Sequence, residues 1–465
     1  MAWSAVERFS AQGIQFVFNI LIARVLLPED YGVVAMLGIF LAVSQTFIDS
    51  GFGNALIRKP DRTDTDYCTV FYFNIAVSAF FCILLWLTAP LIASFYGIPL
   101  LTKITRIISL TLVINAFRAV HETQLSINMD FRRRAIITIV CVAVVGIIGL
   151  WMAHKGYGVW ALVMQSVVGS VLRTILMWLL VHWRPKPVFS KESFKEMFSF
   201  GSKMLGSSLI DTIYANVYTL VIGKFFKGDP LGRYNRAESI AAFPSSSFTS
   251  LLQNVTYPAL SSIQDDNERL AGAYKRLLNV SAFVVFPSMV GLAAVADPFV
   301  RLALTDNWEG MIYLLQIICF ALMWYPIHAI NLNILLVKGR SDYFLKLEII
   351  KKIIGVIILC VTLPFGLVAM CYGRIVASFI FLVANTYYND GLIGYGFVAQ
   401  MKSMLPILIL SLVMGVAVWF IVQMIPNMWL QLVVGVLAGA VLYIGAAVLF
   451  KFPELKELID IARRK

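Results

Sequence analysis

The chain has 465 residues, of which 60% are hydrophobic and only 14% charged, with a net charge of +12 and a mean hydropathy of +0.81. Soluble domains run at roughly 45–50% apolar and about 25% charged, so a soluble fold is excluded: it has no interior large enough for this much apolar surface. The positive charge is that of a membrane protein with basic cytoplasmic loops, not of a nucleic-acid binder.

Apolar stretches of about 20 residues, the length that crosses a bilayer as a helix, recur from end to end. The predicted helices in chain order cover 3–25, 31–54, 67–95, 101–124, 135–153, 157–181, 198–223 and 231–257, followed by 277–296, 310–337, 349–364, 367–388, 404–424 and 429–450. The expected architecture is an all-α integral membrane protein of fourteen helices. No stretch between them is long enough for a folded extramembrane domain. The first helix is not a cleavable signal, because Glu7, Arg8, Gln12, Gln15 and Asn19 interrupt its apolar core.

Basic residues gather in alternate connections: Arg58, Lys59 and Arg62; Arg132, Arg133 and Arg134; Arg184, Lys186, Lys191 and Lys195; Lys338, Arg340, Lys346, Lys351 and Lys352. The intervening connections, such as LLPEDYG (26–32) and LPFG (363–366), are short and poor in Lys and Arg. The positive-inside rule therefore predicts cytoplasmic N and C termini. Only the connection at 224–236, with Lys224, Lys227, Arg233 and Arg236, is too basic for an ordinary external loop.

The segment WRPKPVFSKESFKEMFSF (183–200) divides the chain. Beyond it ARVLLPEDYG (23–32) is echoed by GKFFKGDPLG (223–232). Six helices separate the two, an even number, so the echo predicts parallel repeats. The expected organisation is a six-helix lobe 1–181, a cytoplasmic linker 182–197, a second lobe 198–388, an additional helix pair 404–450 and a cytoplasmic tail 451–465.

A charged side chain at the centre of a membrane helix costs about 2.5–3.5 kcal/mol on insertion scales, so intramembrane charges face a cavity, a partner or the interface. Arg8, Gln12, Gln15 and Asn19 recur at helical spacing and form one polar stripe, suited to an aqueous lumen or to polar helix contacts. Arg106, Arg118, Arg173, Lys203, Arg236 and Arg374 lie in or beside apolar runs, whereas Arg24 and Arg233 near helix ends are placed to snorkel. Glu122, one turn from Arg118, and Asp211, two turns from Lys203, are candidate internal counter-charges. Cations outnumber acids, which suits an anionic cargo. Arg8, Arg118, Lys203 and Arg236 are the candidate cargo-binding residues, with Gln12, Gln15 and Asn19 lining the cavity. Asp49, Asp211 and Glu7 are the carboxylates to which a coupling ion, H⁺ or Na⁺, is assigned.

Other signals are weak. FIDSGFGNALI (47–57) holds a GxG with no preceding strand, so its glycines serve packing or a kink. Pro244 and the serines after it are expected to interrupt the eighth helix. Six cysteines and four histidines lack metal-binding or redox spacing, and no metal or other cofactor is expected. There is no Walker P-loop and no long external loop for a glycosyltransferase site, so an enzyme is not expected.

In order and spacing, ILIARVLLPEDYG (20–32), DSGFGNALIRK (49–59), GYGVWALV (156–163), SFKEMFSFGSKMLGSSLIDTIYANVYTLVIGKFF (193–226), LGRYNRAESIAAFPSSS (231–247), YPALSSIQDD (257–266) and YPIHAINLNILLVKGRSDYFLKLEIIKK (325–352) resemble the polysaccharide transport family of the MOP flippase superfamily, in its Wzx-type, colanic acid exporter-like branch. The resemblance implies two six-helix lobes around a central cavity and flipping of undecaprenyl-pyrophosphate-linked oligosaccharide units across the bacterial inner membrane by alternating access. It also implies membrane lipid, a polysaccharide polymerase and a chain-length regulator as partners, and no nucleic acid. It departs at the start: relatives carry a short charged segment before the first helix, so a misassigned or truncated start is expected. The rivals are a multidrug or small-molecule antiporter of the same superfamily, which would want intramembrane carboxylates, and a membrane-bound enzyme of polysaccharide assembly.

Overall fold

The computed structural model describes residues 2–49 and 51–463, leaving aside the side chains of residues 2–10, 200, 203, 251–252, 254–255, 257–258 and 461–463. Among the described residues every regular element is helical. The predicted helices appear in order: α1 (Ala2–Ala23), α2 (Pro28–Arg58), α3 (Asp64–Tyr96), α4 (Leu100–Ile127), α5 (Phe131–His154), α6 (Val159–Leu180) and α7 (Lys191–Phe226). They continue as α8 (Gly228–Ser261), α9 (Asn267–Ala294), α10 (Asp306–Val337), α11 (Ser341–Thr362), α12 (Leu367–Ile393), α13 (Phe397–Gln423) and α14 (Met428–Leu449), with an amphipathic α15 (Pro453–Arg463) at the end. Among the described residues, 11 helices are long and apolar enough to cross a membrane. The expected count of fourteen is not reached on that criterion, because α8 and α11 carry too many polar and charged residues and the described apolar part of α1, Ala11–Ala23, is too short.

Short polar caps set several helix starts. Thr63 and Asp66 form a reciprocal capping box at α3, with Thr63 N donating to Asp66 Oδ2 at 2.8 Å. Asp130, Ser190 and Asp266 cap α5, α7 and α9 by accepting from Arg133 N, Ser193 N and Arg269 N. α2 breaks at Leu37 and again before Phe52, where Gly51 takes φ +75° and lies on Gly201 and Met204 of α7. A side chain there would be strained in conformation and crowded in space, so the GxG serves a kink and close packing. The expected break at Pro244 is absent: α8 runs through it as one helix, with Ser245 Oγ donating to the Leu322 carbonyl at 2.8 Å. That bond serves α10: it satisfies the Leu322 carbonyl, which Pro326, four residues on and without an N–H, leaves free.

The chain falls into two compact units, residues 1–235 and 236–465. In the first, α1 packs on α5, α3 on α4, and α4 on α6. α7 lies along α2 and α3, so it belongs in compactness with the six helices before it. The stretch before α7 is fastened rather than slack: Trp183 Nε1 donates to Asp64 Oδ1 at 2.7 Å, Lys186 pairs with Asp64 at 2.6 Å, and Ser190 N donates to Thr69 Oγ1 at 3.1 Å. Hydrogen bonding to Asp64 raises the Lys186 ammonium above its ordinary pKa.

The two echoed motifs meet in this unit. A Cβ on Gly32 would overlap the Gly228 carbonyl, and a Cβ on Gly232 would overlap the Pro28 carbonyl. The starts of α2 and α8 thus cross reciprocally, backbone against backbone, at the glycines that end each motif.

In the second unit α13 lies along α9 and α14 packs on α13, so the expected additional pair is part of this body. Tyr443 Oη donates to the Phe283 carbonyl at 2.9 Å. A buried polar network joins four helices. Asn331 Oδ1 (α10) accepts from Tyr274 Oη (α9) at 2.6 Å, from Asn389 Nδ2 (α12) at 2.8 Å and from Gln400 Nε2 (α13) at 3.0 Å. Asn331 Nδ2 donates to Gln400 Oε1 at 3.1 Å, and all four residues are buried.

Two expectations follow from this packing. Gly32→Ala and Gly232→Ala should each lower the melting temperature of the detergent-purified protein, since overpacking costs about 1–3 kcal/mol or more; Gly272→Ala, with open space at its Cβ, should not. Asn331→Leu removes the acceptor of the Tyr274 hydroxyl and the donor to Gln400 Oε1, each costing about 1–3 kcal/mol. It should abolish or strongly reduce the monodisperse folded fraction in size-exclusion chromatography, and an unchanged profile would contradict the role given to the network.

Candidate functional site

Two stitches fix the register of α4 against α6: Thr174 Oγ1 donates to the Ile114 carbonyl at 3.0 Å, and Trp178 Nε1 to the Phe117 carbonyl at 2.9 Å. That register carries Arg173 onto the face of α4 that bears Arg118 and Glu122. Arg118 Nε donates to Asn115 Oδ1 at 3.2 Å, and its Nη1 donates to Glu122 Oε1. Arg173 Nε lies 3.1 Å from the same carboxylate oxygen. It is not in line for a hydrogen bond, and this buried Nε has no hydrogen-bond partner among the described residues.

Two guanidiniums therefore share one carboxylate, leaving the triad one positive charge in excess. Their side chains are 16% (Arg118), 32% (Arg173) and 35% (Glu122) exposed, so the cluster is reachable from outside the helices. Asp49 of α2 is exposed, accepts from Gln45 Nε2 at 2.9 Å and interacts electrostatically with both Arg118 and Glu122. A guanidinium fork presents planar paired donors to a phosphate or carboxylate. Two forks held side by side suit a polyanionic group.

The other expected residues are placed as follows. The side chains of Glu7, Arg8 and Lys203 lie outside the described residues. On α1, Gln12 and Asn19 are half-buried and Gln15 is exposed, beside a buried face of Ala11 and Ile22. Phe18, half-buried, rests over Gly146 of α5, where a side chain would collide with its ring. Arg236 is buried, 7% exposed, and Asp211 is exposed on α7. Arg118 belongs to the first compact unit and Arg236 to the second.

Several further cations hold internal partners. Arg374 pairs with Glu238 at 2.8 Å, Arg233 with Asp229 at 3.1 Å, and Arg106 stacks over the Trp86 ring at 4.3 Å. Buried Lys351 pairs with Glu348. In the second unit a groove of about 370 Å³ between α9, α10, α12 and α13, bordered by Tyr313, Phe320, Tyr372 and Trp419, is apolar and suits a hydrocarbon chain rather than a charged group.

Sequence reasoning paired Arg118 with Glu122 but missed that Arg173 shares the same carboxylate. The signal that would have found it is a second arginine in an apolar helix whose own helix offers no acid. The amide network was missed because its members carry no charge, although Asn331, Asn389 and Gln400 stand in apolar helices.

The chain is 26% identical over 362 residues to the lipopolysaccharide biosynthesis protein WzxC of Escherichia coli (strain K12), covering 75% of this chain and 71% of that protein. It is 24% identical over 487 residues to the succinoglycan biosynthesis transport protein ExoT of Rhizobium meliloti (strain 1021), covering 100% of this chain and 95% of that protein. In fold it is similar to the lipid II flippase MurJ in an inward closed conformation, with a TM-score of 0.78 at 18% identity over 97% of this chain and 99% of that one. The family model described as "Polysaccharide biosynthesis protein" matches residues 21–313, more than half of the sequence, and so this many-helix membrane protein belongs to that family.

Proposed function

We propose that this protein is a flippase that moves oligosaccharide repeat units linked to undecaprenyl pyrophosphate across the bacterial inner membrane by alternating access, for surface polysaccharide assembly. The observation that carries the reading is the paired guanidinium site of Arg118 and Arg173, partly exposed yet set within apolar helices, in a member of this family. The names of the relatives, a transport protein of succinoglycan biosynthesis and a lipid II flippase, support it. In this reading the head group crosses while the polyprenyl tail stays in lipid. Arg8, Arg118, Lys203 and Arg236 contact the pyrophosphate or sugar acids, and Gln12, Gln15 and Asn19 bond sugar hydroxyls. Asp49, Asp211 and Glu7 carry the coupling ion, H⁺ or Na⁺. A polysaccharide polymerase and a chain-length regulator are the protein partners we assign. Both termini face the cytoplasm, an orientation supported by the basic residues of alternate connections.

In a background without the native cysteines, cysteine introduced at Arg133 or Val188 should be shielded from an impermeant reagent in intact cells, while one at Asn307 should react. Labelling at Arg133 would reverse the orientation. In proteoliposomes, Arg118→Gln and Arg236→Gln should each reduce flipping of a labelled lipid-linked oligosaccharide at least tenfold per folded protein, with Arg236→Lys impaired and Arg24→Lys close to wild type. Asp49→Asn, Asp211→Asn and Glu7→Gln, assayed under H⁺ and Na⁺ gradients, should alter the ion dependence of that rate. Wild-type rates for Arg8→Gln, Arg118→Gln, Lys203→Gln and Arg236→Gln alike would sink the cationic path.

A further inference from the structure

Glu122 is the acid in the triad, and its geometry is unusual for a simple counter-ion. One carboxylate oxygen serves two guanidiniums from two different helices, and it serves them unequally. Arg118 is doubly held, by Asn115 and by Glu122. Arg173 is held only by proximity: its Nε is buried, 3.1 Å from the carboxylate and without a hydrogen bond among the described residues. A carboxylate evolved only to neutralise the pair would be expected to satisfy both. A single carboxylate also cannot match the several oxygens that two planar forks are able to bind. The pair is thus under-filled by the group that occupies it.

We infer that Glu122 stands in for the cargo's phosphate: in the unloaded protein its carboxylate occupies the Arg118–Arg173 pair, and an incoming pyrophosphate takes the pair by displacing it. The inference rests on the functional reading above and makes Glu122 a positioning and release residue, not a cargo contact. Displacement holds net binding modest, because the anion must compete with a tethered carboxylate at high effective concentration. It also provides the return step: on the far side of the cycle the carboxylate re-enters the pair and lowers the affinity for departing phosphate. A carrier needs such weakening, since tight binding of the ground state does not speed passage. Among the described residues, the charged and titratable groups around the triad are Arg118 on α4, Arg173 on α6, Asp49 on α2 and Cys141 on α5, while the adjacent His121 turns its ring to Trp178 and Trp183. Among the described residues, the two arginines are the ion-pair partners of Glu122.

The test uses the purified full-length protein and inorganic pyrophosphate as probe, measured by calorimetry at low ionic strength. Glu122→Gln should bind pyrophosphate about tenfold more tightly than wild type. The gain should vanish when Arg118→Gln and Arg173→Gln are added. Asp49→Asn removes the same charge nearby without touching either guanidinium, and should give a clearly smaller gain. In proteoliposomes Glu122→Gln should flip lipid-linked oligosaccharide more slowly at saturating cargo, as release becomes limiting.

Unchanged or weaker pyrophosphate binding by folded Glu122→Gln, or a gain matched by Asp49→Asn, overturns the displacement. Should Glu122→Gln fail to fold, Glu122→Asp decides: it keeps the charge but withdraws the carboxylate by one methylene, so tighter binding supports the inference and unchanged binding refutes it. Failure of the wild type to flip lipid-linked oligosaccharide, with the affinity gain intact, would reject the assigned cargo and leave the anion site standing. Flipping without the gain would do the reverse.

Discussion

A polar group carried into hydrocarbon has no water to bond, so it must find a partner inside the protein or face a cavity where water can follow. Most of what distinguishes this chain from a bundle of greasy helices answers that demand. The two compact units answer it differently. In the first, charges gather on α4 and α6, where an arginine pair shares one glutamate and remains partly exposed. In the second, neutral amides and a tyrosine lock α9, α10, α12 and α13 into a closed network with no net charge.

The difference has energetic meaning. A neutral network whose members are buried and mutually bonded strongly penalises rearrangement, because separating any helix exposes unpaired donors. It is a device for rigidity. A partly exposed cluster in which one guanidinium Nε lacks a hydrogen bond among the described residues has a lower threshold for changing partners, since an arriving anion can replace what is lost. The physical chemistry therefore assigns stiffness to the amides and exchange to the charges. The same logic separates Arg118 and Arg173 from Arg374, which pairs with Glu238 at 2.8 Å.

Hydropathy made the helices legible almost one for one, because a bilayer leaves the backbone no alternative to helix across each apolar run. Composition was less able to say which helices span: α8 and α11 dilute their apolar runs with Arg233, Arg236, Glu238, Lys346, Glu348 and Lys351, whose acceptance depends on tertiary partners such as Arg374 for Glu238. Pro244 misled because a long membrane helix can carry a proline without ending, as α3 carries Pro90 and α9 carries Pro287. Along α4 the Arg118–Glu122 pair was readable from its spacing of four. Arg173 was not, because the register between two helices is set by stitches such as Thr174 to Ile114 that no single-helix periodicity contains. The echo between 23–32 and 223–232 was visible as letters, but its physical cause was not: the two segments touch.

That contact constrains how the two motifs can change. Gly32 and Gly232 each face main chain of the opposite motif, not a side chain that could be trimmed to make room. A methyl group added at one site therefore has no compensating substitution at the other, and the only accommodation is to move the helix starts apart. Two segments some two hundred residues distant are in this sense a single unit of heredity: a recombinant that took its first motif from one ancestor and its second from another would inherit a workable crossing only if both donors had kept the bare backbone there.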